Sequence, residues 1–174
     1  MIHPVYFIFL FLLFACGQDD SGKSGLSNFE STASFHLVGD GYDEVTSFNS
    51  NDNLIFSQLF ENNEMWIRLA ASQNANGEHG SHIDIDICDY SGSAKYAPID
   101  PQKRPCSKSG WDIWWHDDSK VYFNQETSNP CILILTQNGD MLSGVFECDD
   151  VIKMGGTSTI QIKDGSFKTM IERK

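Results

Sequence analysis

The residues best suited to chemistry stand in one short row, His82-x-Asp84-x-Asp86. In an extended strand, alternate side chains point the same way, about 6.5–7 Å apart. An imidazole and two carboxylates so aligned offer nitrogen and oxygen donors to a divalent cation. His79, in the preceding polar stretch, adds another possible donor. The same spacing also suits plain solvation, because a half-buried sheet needs an outward polar row. Neighbouring carboxylates repel, so the row would gain from a cation or from Lys or Arg on a facing strand.

Trp111, Trp114 and Trp115 form a second constellation. If Ile113 points inward, alternation takes Trp111 and Trp115 with it. Trp114 then faces outward beside Asp112 and His116, a contact spot for a sugar or another partner. Three acidic clusters offer oxygen donors for calcium: Asp40/Asp43/Glu44, Asp117/Asp118 and Asp149/Asp150. None has EF-hand spacing. The sequence contains neither GxSxG nor HExxH, and its cysteines are expected to pair, so signals for catalysis are thin.

The segments around these residues read as strands. His82 to Tyr90 alternates Ile83, Ile85 and Ile87 against His82, Asp84 and Asp86, the period of a strand with one apolar face. Trp111–His116 and Lys120–Gln125 read as a pair across Asp117-Asp118-Ser119, with Val121 and Phe123 as partners of the inward tryptophans. Leu54–Phe60 and Met65–Ala71 read as a hairpin across Asn62-Asn63, with Phe56 and Phe60 on its apolar side. In CILILTQNGDMLSGVFEC, Asn138-Gly139 is a strong two-residue hairpin signal. Leu133, Leu135, Leu142 and Phe146 then share an apolar face. A last hairpin is expected at Asp164-Gly165. Before these, Phe35–Val38 reads as a short strand and residues 39–44 as a loop.

No stretch after residue 16 sustains a helical apolar repeat. About ten short strands with frequent turn signals predict an all-β fold, an antiparallel β-sandwich. A closed, calycin-like barrel holding a small ligand is the alternative, since it makes similar strands.

Four cysteines, Cys88, Cys106, Cys131 and Cys148, suit two disulfides in an exported chain, and three pairings are possible. Neighbour pairing, Cys88–Cys106 and Cys131–Cys148, is the preferred expectation. Crossed pairing is the runner-up. The spacings contain no CxxC and do not suit zinc.

The chain carries a formal charge of −12. Residues 17–92 hold only Lys23 and Arg68 as bases. Such a chain is ill suited to nucleic acid, which needs clustered Lys and Arg. The N-terminus opens with an apolar run, Val5–Phe14, too short to span a bilayer. It ends in Leu13-Phe14-Ala15-Cys16, which resembles the lipobox of bacterial lipoproteins. That resemblance covers residues 1–16 and implies a signal peptide over 1–15 and a lipidated Cys16. Two or more acyl chains would anchor stably where one would not. Gly17, where an Asp would mark inner-membrane retention in that family, implies the outer membrane. Residues 16–33 read as the lipidated cysteine and its tether, and 34–174 as one β domain. The GVFEC hairpin and the following IQIKDGSF also resemble the tail of small uncharacterised bacterial lipoprotein domains, a likeness that implies no chemistry.

The expected function is therefore a non-catalytic binding or structural domain at the cell envelope, contacting an envelope protein, a glycan or a cation. A barrel-type carrier is one alternative. A metal-dependent enzyme using His82, Asp84 and Asp86 is the other.

Overall fold

A computed structural model describes residues 29–50, 55–70, 81–99, 106, 108–117, 120–124 and 131–174. Residues 1–28, with the lipobox and Cys16, lie outside the described residues, as does His79. The described residues form eleven strands: β1 (Ser31–Gly39), β2 (Tyr42–Ser50), β3 (Ile55–Leu59), β4 (Met65–Ala70), β5 (His82–Cys88), β6 (Lys95–Tyr96), β7 (Gly110–Asp117), β8 (Lys120–Asn124), β9 (Ile132–Asn138), β10 (Met141–Lys153) and β11 (Thr159–Arg173).

The fold is all-β and sandwich-like. One layer runs β2-β1-β11-β10-β9-β6 and the other β3-β4-β5-β7-β8. The two longest strands join the layers at both sides. Val151–Lys153 at the end of β10 pair with β8, and Ile171–Arg173 at the end of β11 pair with β3. Strands that turn a corner in this way serve both sheets of a sandwich. The β3–β11 pairing is parallel, so the sheet is mixed rather than purely antiparallel as expected.

The space between the layers is filled. Ile83, Ile85 and Ile87 point inward, as alternation predicts, together with Trp111, Ile113 and Trp115. Phe35 from the facing layer meets Trp115 with ring centroids 5.9 Å apart, and Tyr42 meets Tyr122 at 6.2 Å. Buried aromatics of this size contribute much of a core's stability through the apolar area they remove from water.

Both disulfides follow the neighbour pairing, Cys88–Cys106 and Cys131–Cys148. Such bonds suit an oxidising, exported compartment.

Several register expectations change. The β9–β10 turn is Gly139-Asp140, with Asn138 opposite Met141, so Leu135 faces Gly144 and Leu133 faces Phe146. Gly139 has φ +63°, at the position where a II′ turn wants glycine. The change moves every pair by two, so each apolar residue keeps its face. The β3–β4 pairing moves by one: Leu59, not Phe60, faces Met65. A one-residue slip exchanges faces. Ile55 and Ser57 therefore point inward, and Phe56 lies outside against Trp66. Likewise Tyr122 and Asn124 on β8 point inward, while Val121 and Phe123 pair with His116 and Trp114 on the outer side. Buried Asn124 is satisfied, accepting from the Ile113 N–H at 2.8 Å and donating to the Ile99 carbonyl at 3.0 Å.

The expected hairpin at Asp164-Gly165 is a bulge inside the single strand β11. Both its partners shift register there, β1 between Ser34 and His36 and β10 between Phe146 and Cys148. Residues expected as a loop after Val38 instead form β2, joined to β1 through Asp40-Gly41, both with positive φ.

Candidate functional site

The outer face of the β3-β4-β5-β7-β8 layer carries the chemistry. Alternation on β5 presents His82, Asp84 and Asp86, and on β7 it presents Asp112, Trp114 and His116. Antiparallel pairing sets Arg68 opposite Asp84 and His82 opposite His116. Arg68 lies on β4, whose inner side holds Met65, Ile67 and Leu69, all buried. Trp66 and Arg68 must therefore point out.

Arg68 donates to Asp84 through both arms, Nε to Oδ1 at 2.7 Å and Nη2 to Oδ2 at 2.8 Å. Asp84 is 7% exposed. Burial pushes its carboxyl up, but hydrogen bonds and positive charge from Arg68 and His82 outweigh it and bring it down to about 2. The guanidinium also lies 4.5 Å over the Trp66 ring. Charge-assisted, two-pronged pairing of this kind fixes orientation as well as energy.

The two imidazoles stack, with centroids 4.6 Å apart and planes 8° from parallel. Their Nε2 atoms reach Asp84 Oδ2 at 3.6 Å from His82 and 3.8 Å from His116. Burial and the neighbouring His82 and Arg68 lower the His116 pKa, only partly opposed by Asp84. Trp114 lies 6.2 Å from His116 and donates its Nε1–H to Asp112 Oδ1 at 2.6 Å.

The expected row is thus rearranged. His82 and Asp84 come together with His116 from the next strand, their donor atoms within 4.8 Å of one another. Asp86 sits one rung further along, between Trp66 and Asp112. It lines a cleft of about 380 Å³ with Phe60, Glu64, Trp66, Asp84 and Ile87. Trp114 and His116 do share the outer side. Arg68 and Trp66 are the residues that sequence reasoning left out. Arg68 is one of only two bases in residues 17–92, and the outward parity of Met65–Ala70 was a usable signal for it.

Of the acidic clusters, Asp40 and Asp117 meet tyrosines. Asp40 accepts from the Tyr122 hydroxyl, and Asp117 from Tyr42 and, at 3.1 Å, from Ser81. The Tyr122 hydrogen bond is the main cause lowering the Asp40 pKa, with Lys120 and Lys153 adding to it. Burial and then the Asp117 hydrogen bond push Tyr42 up to about 12. These carboxylates join the two layers at one end of the sandwich. Asp149 and Asp150 belong to β10 rather than to a loop.

Compared with protein-family models, with curated proteins and with solved structures, the chain matches none.

Proposed function

We propose that this chain is an exported, lipid-anchored, non-catalytic binding domain that holds an envelope glycan on the outer face of β3-β4-β5-β7-β8. The observation that supports this reading most is the cleft of about 380 Å³ beside Trp66 and Phe60. It pairs aromatic surface, on which the C–H face of a sugar stacks, with the carboxylates of Glu64 and Asp86, which accept from sugar hydroxyls. Sites of this kind are concave, partly apolar and oriented by a few polar groups. Cys16 would tether the domain to the membrane, in the outer membrane by the lipobox resemblance, with the two disulfides suited to that location.

The carrier alternative draws less support, because Trp111, Tyr122, Phe35 and Phe146 fill the space between the layers. The test has two arms. Cells given labelled palmitate should label the wild type and not Cys16→Ser; equal labelling ends the anchor reading. The purified chain should bind isolated cell-wall glycan, and Trp66→Ala should weaken this by more than about tenfold. No binding by the wild type, or capture of an envelope protein independent of Trp66, ends the glycan reading.

A further inference from the structure

Two imidazoles and a carboxylate converge on the outer face, and they do so by backbone pairing. His82 and His116 are directly opposed on β5 and β7, and Asp84 is two residues along β5 on the same side. Three such atoms around a tetrahedral ion stand about 3.3 Å apart, from metal–nitrogen and metal–oxygen bonds of about 2.0–2.2 Å. The two nitrogen-to-Oδ2 distances are 3.6 and 3.8 Å, and all three donor atoms lie within 4.8 Å. The rings stack with planes 8° from parallel, so both must turn before their in-plane lone pairs can meet on one ion. The χ2 torsion of histidine is broad, and it is the torsion about which the rings would turn.

Arg68 does not exclude an ion. It approaches both carboxylate oxygens side-on, and each oxygen has a second lone pair. Both imidazole Nε2 atoms lie near Oδ2, and the hydrogen bond that His82 makes to Asp84 would give way to the ion. A carboxylate oriented by an outer hydrogen-bond donor is the usual arrangement in metal centres. The His116 side chain is 32% exposed while His82 and Asp84 are nearly closed, so the site has one open side at His116.

We propose that His82, Asp84 and His116 bind one first-row divalent transition-metal ion, supported in orientation by Arg68. Two nitrogen donors favour zinc, copper, nickel or cobalt, and disfavour calcium and magnesium, which take oxygen. Three protein ligands leave a fourth position open to water or to a partner's donor group. The proposal replaces Asp86 with His116 in the ligand set, and it does not depend on the lipid anchor or on glycan binding.

The test uses the full chain without a histidine tag, extracted in detergent and stripped with chelator. Calorimetric titration with Zn²⁺ should show one equivalent bound, and Co²⁺ should give the visible absorption of a four- or five-coordinate ion. His116→Ala and, separately, His82→Asn should each weaken Zn²⁺ binding by more than about tenfold. Asp86→Asn should leave it unchanged. Near-UV circular dichroism confirms that each variant is folded, and His116, at the open side, is the safer of the two. If the folded wild type binds neither Zn²⁺ nor Co²⁺, the proposal is overturned. So does binding that survives both histidine variants, or binding lost in Asp86→Asn. Loss of glycan capture with Zn²⁺ binding intact would sink the proposed function and leave this site standing.

Discussion

Arg68 and Asp84 hold each other across β4 and β5 through two hydrogen bonds of 2.7 and 2.8 Å, with side chains only 18% and 10% exposed. A pair this withdrawn from water is costly to break from one side, because the remaining charge stays buried without its partner. Arg68→Ala or Asp84→Ala should each destabilise the fold by about 3 kcal/mol in urea unfolding. Replacing both together, Arg68→Met with Asp84→Leu, should recover most of that loss. Single variants costing less than about 1 kcal/mol would show that water reaches the pair freely.

The same pair sets an acid limit on stability. The Asp84 carboxyl is brought down to about 2 in the folded protein, against about 3.9 in an unfolded chain. The folded state therefore holds fewer protons than the unfolded one between those values. Stability from this group is complete above about pH 4 and is lost as pH falls through about 2, a contribution on the order of 2 kcal/mol. In metal-free protein, Asp84→Asn should flatten the wild-type fall in stability over that window. An unchanged slope would place the acid sensitivity in other carboxylates.

Strand existence and face were legible in the sequence wherever one side of a strand is uniformly apolar. Ile83, Ile85 and Ile87 fixed the orientation of His82, Asp84 and Asp86 without any knowledge of neighbours. Pairing was legible only as far as turns determine it. Asn62-Asn63 suggested one turn, but Phe60 donates its N–H to the Glu64 carbonyl and closes a longer loop, which shifts β3 by one residue and turns Phe56 outward. Asp164-Gly165 carries a hairpin dipeptide, yet it serves as a bulge because Phe146 from β10 lies against it. Local turn chemistry is the same in both uses, and the long-range partner decides between them. Asp40-Gly41 was a usable hairpin signal, obscured by the polar composition of Asp43 to Asn49. The site depended on which strand lies beside β5, and no local pattern in β5 specifies that β7 brings His116 there.

The two disulfides should differ in accessibility. Cys148 is fully buried and Cys131 nearly so, whereas Cys106 is exposed. Mild thiol should therefore reduce Cys88–Cys106 first, read by alkylation and peptide mass. Removing Cys131–Cys148, by alanine at both positions, should cost about 3 kcal/mol, the loop-closure entropy of a bond across a sequence separation of 17. Simultaneous reduction of both bonds would show that the sandwich opens before either sulfur is reached.

The bulge at Asp164-Gly165 makes a stringent test of the β10–β11 register. A Cβ on Gly165 would stand 2.4 Å from the Phe146 carbonyl oxygen and 2.6 Å from its ring. The oxygen is backbone and cannot rotate away, so β10 and β11 would have to separate where Phe146 pairs with Gly165. Gly165→Ala should cost more than about 3 kcal/mol, at the severe end for overpacking. Gly41→Ala supplies the contrast. Gly41 has φ +92° and nothing within 4 Å of its Cβ position, so only backbone strain of about 1–2 kcal/mol applies. Both variants can be followed by thermal unfolding, with Gly165→Ala melting well below Gly41→Ala. If the order reverses, β11 does not run continuously past Phe146, and the hairpin expected from the dipeptide alone is the better description.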